Sequence, residues 1–211
     1  MSHPITDIQA SQRFLHVGCG HNRKDKTTRG FNTPHWQELR FDIDIAVQPD
    51  LVGTMQNMSA VADASVEAIY SSHNIEHLYP HEVALALKEF VRVLVPTGFL
   101  VVTCPDLRSV CALVAEDKLT ESAYTSPAGP ISPLDILYGH RPSLAHGNHY
   151  MAHRCGFTEK VLSATLQQAG FASVVSMARG RTPFFDLWAI ATKQATDEQA
   201  LRALAMLHFP V

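Results

Sequence analysis

The sequence predicts an α/β fold: a mostly parallel seven-stranded sheet, doubly wound with helices on both faces and closed by a C-terminal antiparallel β-hairpin. Three observations carry that prediction. Short apolar runs of strand character alternate with segments of helical periodicity. The first apolar run stops abruptly at a glycine turn, "HVGCGHN". Towards the end, two β-rich runs are separated only by "GRTP".

The elements follow in order. "RFLHVG" at 13–18 reads as the first strand. Thr33 followed by Pro34 has the form of an N-cap with proline at the first helical position, predicting a short helix "PHWQEL". "LRFDID" at 39–44, "PDLVG" at 49–53 and "EAIYSS" at 67–72 read as three further strands. "HEVALALKEFVRVL" at 81–94 is apolar at 83, 87, 90, 91 and 94, an amphipathic helix stopped by Pro96 and Gly98. "FLVVTCP" at 99–105 is a β-branched run that suits a buried central strand. Residues 117–156 carry many Pro, Gly and His and little periodicity, which predicts a loop-rich insertion or lid. "TEKVLSATLQQAG" is a helix capped by Thr158 and ended by Gly170. The hairpin at 171–193 and an outer C-terminal helix, "DEQALRALAMLHF", complete the chain.

Composition narrows the function classes. At 211 residues the chain is read as one domain, 1–211, with 46% hydrophobic and 18% charged residues, ordinary for a soluble globular protein. A formal net charge of -3 argues against a general electrostatic grip on nucleic acid. Basic residues gather in "HNRKDKTTRG", which reads as a solvated loop. The opening "MSHPITDIQASQRF" has no signal-peptide pattern, and the greasiest run, "FVRVLVPTGFLVVTC", is too short and too broken to span a bilayer. The four cysteines show no paired spacing, so reduced thiols in a cytoplasmic protein are expected.

The glycine turn then poses a choice of ligand. A dinucleotide fingerprint requires a third glycine, where this chain has Arg23, so a nicotinamide or flavin dinucleotide is disfavoured. Taken together and in order, "FLHVGCG", "FDID", "AIYSSHNIEHL" and "FVRVLVPTGFLVVTCPD" resemble the class I S-adenosylmethionine-dependent methyltransferases. Within them the chain is similar to small members whose fourth strand runs into a Ser-Ser-His…Glu-His-Leu segment.

The residues themselves agree with the resemblance. A Gly-Cys-Gly turn lets backbone approach a ligand, and its amides can contact a carboxylate. About 20 residues after such a turn, an acid ending the second strand can hold both ribose hydroxyls. Asp42 stands there, with Asp44 as the alternate on the same strand face. The resemblance implies S-adenosylmethionine as cofactor and S-adenosylhomocysteine as product. It implies contacts from Val17, Gly18, Cys19 and Gly20, from Asp42 and Ile43, from Thr54 and Met55 beside the adenine, and from Ser72 and His73 at the methionine end. Two departures stand out: family members often carry acids where His16 and Thr54 stand.

Two histidine groups remain. His73, Glu76 and His77 match the H-x-x-E-H pattern of zinc peptidases, but that chemistry needs the whole pattern on one helix, and His73 falls at a strand end. No metal is assigned on that basis. The resemblance implies that Glu76 and His77 are first-turn helix residues shaping the cleft floor. In the second group, His140, His146, His149 and His153, the last two are four apart and would share a helix face. His149 and His153 are the candidate general bases of a lid that binds a small-molecule methyl acceptor of sugar or hydroxyl type, with Arg141 and Arg154 favouring an anionic group on it. Neither nucleic acid nor membrane is expected as a partner. The rival readings are a metal-dependent hydrolase built on residues 73–77 and a catalytically silent cofactor-binding protein.

Overall fold

The computed structural model describes residues 12–210; the targeting-signal reading of the first residues falls mostly outside them. Seven strands form one sheet: β1 (Gln12–Val17), β2 (Trp36–Asp42), β3 (Leu51–Val52), β4 (Val66–Ser72), β5 (Leu94–Pro105), and, numbered after the two strands of a small hairpin, β8 (Ser173–Arg181) and β9 (Phe184–Thr192). Their spatial order is β3-β2-β1-β4-β5-β9-β8. The first five pair in parallel, β9 runs antiparallel to β5, and β8 is antiparallel to β9. The small hairpin, β6 (Tyr124–Ser126) and β7 (Gly129–Ile131), stands apart from the sheet.

Strand parity divides the core. Leu15 and Val17 face helices α1 (Pro80–Val93) and α5 (Glu159–Gln168), whose Leu87, Phe90, Leu162 and Leu166 are fully buried. Thr158 caps α5 as predicted, accepting from the Val161 amide. Phe14 faces the other way, into Phe31, Phe99, Trp36 and the C-terminal helix α6 (Glu198–His208). No α-helix lies between β1 and β2 on this second face, only a 3₁₀ turn at Lys24–Lys26. Phe31 fills the space instead, stacked on Phe14 at 4.4 Å between ring centroids.

Four local expectations give way to tertiary structure. "PHWQEL" is not a helix: Trp36 to Leu39 already pair with β1, in register from Gln12–Trp36 onward. Six residues supply too little helix to resist a parallel ladder and the burial of Trp36. Pro96 and Gly98 do not precede β5 but lie within it, where the register jumps from Val66–Leu94 to Ala68–Phe99. A bulge there tolerates a residue with no amide proton. Residues 107–116, left without an element by periodicity, form helix α2 (Leu107–Ala115), capped by Asp106 accepting from the Arg108 and Ser109 amides. The insertion also has elements of its own besides the hairpin: α3 (Pro133–Tyr138) and α4 (Arg141–Ala145). Ile131 and Ile136 from the insertion pack with Val110 and Phe185 in a third apolar cluster. The C-terminal helix lies on the outside but buries His208, 3% exposed.

Candidate active site

The carboxyl ends of β1 to β4 line a cavity of about 510 Å³. Val17, Gly18, Gly20, Asp42, Ile43, Thr54, Met55, Ser72 and His73 all lie on its wall. Cys19 does not. Its side chain is fully buried beneath the turn, and burial pushes its thiol up to about 11, so it remains a protonated core group.

The glycine turn works by shape rather than by donating hydrogen bonds. The Gly18 and Cys19 amides both donate to the Phe41 carbonyl, at 2.8 and 3.4 Å. The Gly20 amide donates to Asp42 Oδ2 at 2.8 Å. No α-helix follows the turn, so there is no helix N-terminus to attract a carboxylate, and the sequence-based assignment of that role to the turn amides fails. What the turn offers is room. Gly18 and Gly20 adopt φ of +62° and +51°, and nothing lies within 4 Å of where a Gly20 Cβ would project.

Asp42 is held ready. Oδ2 accepts from Gly20 and Oδ1 accepts from the Asp44 amide at 2.9 Å, fixing the carboxylate while each oxygen retains a lone pair. Beneath it Arg40, 1% exposed, donates to the carbonyls of Gly20, Val47 and Gln48, tying the glycine turn to the loop after β2. Asn74 fixes the opposite wall, its Nδ2 donating to the carbonyls of Val17 and Ser72, each at 2.9 Å. Neither Arg40 nor Asn74 was singled out from sequence, because an interior arginine inside a strand carries no local signal. Ser72 caps no helix; its hydroxyl lies 3.0 Å from that of Thr103. His16 is turned to the aromatic face, buried with Nδ1 2.6 Å from Glu38 Oε1, so an acid on β2 lies beside it.

A second cavity, about 530 Å³, adjoins the first and shares His73, His77 and Met151 with it. Its walls come from the insertion, from the 183–186 end of the hairpin, and from Glu76, His77 and His153. The two candidate bases part company here. His149 is exposed and lines neither cavity, whereas His153 lines the second. They share no helix face, because 149–151 is a single 3₁₀ turn followed by extended backbone at Ala152. Burial lowers the His153 imidazole below its ordinary value. Arg141 is committed to Asp135, Nε to Oδ1 at 2.7 Å, which removes it as a free anion partner. Arg154 lies on the first cavity, stacked over Tyr79 at 4.8 Å.

Glu76 and His77 lie in one 3₁₀ turn, Ile75–His77, ahead of α1, and His73 precedes it with φ +53°. The helix that the H-x-x-E-H chemistry requires is absent, so the peptidase arrangement is not formed. Burial works to raise the Glu76 carboxyl, but the imidazoles of His73, His77 and His153 outweigh it and hold it below the usual carboxylate range. No helix among the described residues is long and apolar enough to cross a membrane.

The first cavity fits S-adenosylmethionine on its own terms: bare backbone on one wall, a fixed carboxylate on the next, and apolar Met55 and Leu78 further round. Comparison with known proteins points the same way. Residues 15–102 match a family described as a methyltransferase domain. No curated protein matches the chain. Among solved structures, the chain is similar to a SAM-dependent methyltransferase from Archaeoglobus fulgidus, 14% identical over 87% of this chain and 86% of that one, with a TM-score of 0.56. A SAM-dependent methyltransferase from Methanosarcina mazei is 16% identical over 90% and 95%, TM-score 0.57. The Burkholderia thailandensis 1,6-didemethyltoxoflavin-N1-methyltransferase, solved with 1,6-didemethyltoxoflavin and S-adenosylhomocysteine, is 14% identical over 88% and 72%, TM-score 0.55. Over residues 15–102 the chain thus matches a methyltransferase domain, and over most of its length it shares the fold of these SAM-dependent methyltransferases.

Proposed function

We propose that the chain transfers the methyl group of S-adenosylmethionine, held in the first cavity, to a small molecule held in the second. The observation that carries this reading is the meeting of the two cavities at His73, His77 and Met151. Asp42 takes the ribose hydroxyls, Gly18 and Gly20 leave room for the methionine moiety, Thr54 and Met55 flank the adenine, and Ser72 and His73 stand at the methionine end. With the turn amides engaged inside the protein, Arg154 is the guanidinium on the cavity wall left to pair with the amino-acid carboxylate. Residues 117–156 cover the acceptor and select it.

When bound, the cofactor supplies a methyl group already activated by its sulfonium. The protein's share is then to hold the acceptor in line and exclude water, and positioning can contribute of order 7–11 kcal/mol in favourable cases. His153, not His149, is the lid imidazole that reaches the acceptor's cavity. The hydrolase reading is set aside, since neither the required helix nor any comparison favours it.

Calorimetry with S-adenosylhomocysteine, beside NAD as control, tests the first half of the proposal. Micromolar binding of the former alone is expected; absence of binding would sink the reading. Transfer of labelled methyl to a panel of small hydroxyl and amine compounds tests the second half, and binding without transfer to any would favour a catalytically silent protein.

A further inference from the structure

Glu76 presents a problem that methyl transfer does not explain. Its carboxylate is 1% exposed, and among the described residues neither oxygen accepts a hydrogen bond. Such a group is costly to bury, and native structures leave few of them. Its neighbour His73 stands with Nδ1 3.3 Å from Oε1, a contact without hydrogen-bond alignment.

Two further side chains converge on the same point. A ligand atom from each of Glu76, His77 and His153 lies within 4.8 Å of the others. Both imidazoles are oriented from behind: His77 Nδ1 lies 3.1 Å from the Ala152 carbonyl oxygen, and His153 Nδ1 lies 2.7 Å from that of Ile136. A carbonyl oxygen can only accept, so each Nδ1 carries a proton, and in the neutral ring Nε2 is the nitrogen free to bind a metal. Backbone carbonyls holding the far nitrogen of a histidine are the usual support of a metal ligand. The result is a buried carboxylate grouped with two imidazoles, a donor set that a cation would complete.

We propose that Glu76, His77 and His153 form a divalent-metal site of the zinc class, with its open coordination position facing the second cavity. Two imidazoles and one carboxylate are a common zinc donor set, and three protein ligands leave the fourth position free. All three side chains line the second cavity, so that position takes an oxygen donor of the acceptor. This last clause rests on the methyl-transfer reading; the metal site does not. It differs from the peptidase pattern in drawing its third ligand from His153, 76 residues beyond His77, in place of His73.

The test uses the full chain, stripped with a chelator and reloaded with zinc chloride. One zinc per chain after gel filtration is expected, with affinity falling on the order of 100-fold in His153→Ala and in Glu76→Gln. Cobalt should give the visible absorption of a tetrahedral site, and acetohydroxamate, a small oxygen chelator, should shift it. No stoichiometric zinc, or zinc retained equally by both variants, overturns the site; an unshifted cobalt spectrum overturns the open position. His153→Ala is followed by circular dichroism and by S-adenosylhomocysteine binding, so a folding failure is recognised and Glu76→Gln then decides. Loss of S-adenosylhomocysteine binding by the wild type would sink the methyltransferase reading while leaving the zinc result standing.

Discussion

The Gly20 amide donates to Asp42 Oδ2 across 2.8 Å, so the glycine turn and the acid that ends β2 are one unit. The contact explains why the acid needs no cofactor to be oriented. Asp42→Ala should weaken S-adenosylhomocysteine binding by roughly 1–3 kcal/mol, the scale of hydrogen bonds to a charged group. Calorimetry checks it; unchanged affinity would remove Asp42 from the ribose site.

The two glycines should respond differently to alanine. A Cβ on Gly18 would fall 1.9 Å from Asn74 Oδ1, and that amide is pinned by Val17 and Ser72. A Cβ on Gly20 meets open space and bears only the left-handed backbone, about 1 kcal/mol. Urea unfolding should show Gly18→Ala losing roughly 3 kcal/mol or more and Gly20→Ala about 1. Equal losses would contradict the pinned position of Asn74.

Arg154→Gln should weaken S-adenosylhomocysteine by about 1–3 kcal/mol and reduce the salt dependence of binding. An unchanged salt dependence would mean that the carboxylate lies elsewhere.

Arg40→Met should act through the cleft floor. Removing the guanidinium leaves the carbonyls of Gly20, Val47 and Gln48 without their donor, at a cost of roughly 3 kcal/mol in stability. Cofactor affinity should fall with it, and Arg40→Lys should restore part of both. A Met variant as stable as wild type would show that the arginine does not hold the loops together.

Acid should weaken the fold through His208. Burial among Phe31, Phe99 and Thr28 lowers its imidazole to about 4. Above pH 6.5 the ring is neutral in both states and contributes no pH dependence. Between 6.5 and 4 only the unfolded chain takes up the proton, so stability falls as pH falls. The loss from pH 7 to 5 should be about 2 kcal/mol and should be absent from His208→Gln. An identical pH dependence in that variant would place the titration on another group.

Much of this molecule was legible from local pattern. The parallel strands, the α1 and α5 helices and the hairpin follow from apolar periodicity and turn residues, and Gly18 and Asp42 stand out as residues that end strands, whereas Thr54 and Ser72 were implied by the family resemblance. The failures have a common cause: each was settled by contacts between distant segments. Trp36 joined a strand because β1 lay ready to pair with it. The turn amides lost their expected ligand to the Phe41 carbonyl and to Asp42, neither of which spacing could reveal.

The sequence by itself determined which chemistry the strand ends carry, since side-chain periodicity and turn residues are local properties. Only the tertiary structure decided which histidines lie together. His149 and His153 look paired on paper, yet a change of backbone direction between them separates the two. His77 and His153 are far apart in the chain, yet they meet over Glu76 because carbonyls from the insertion orient both rings.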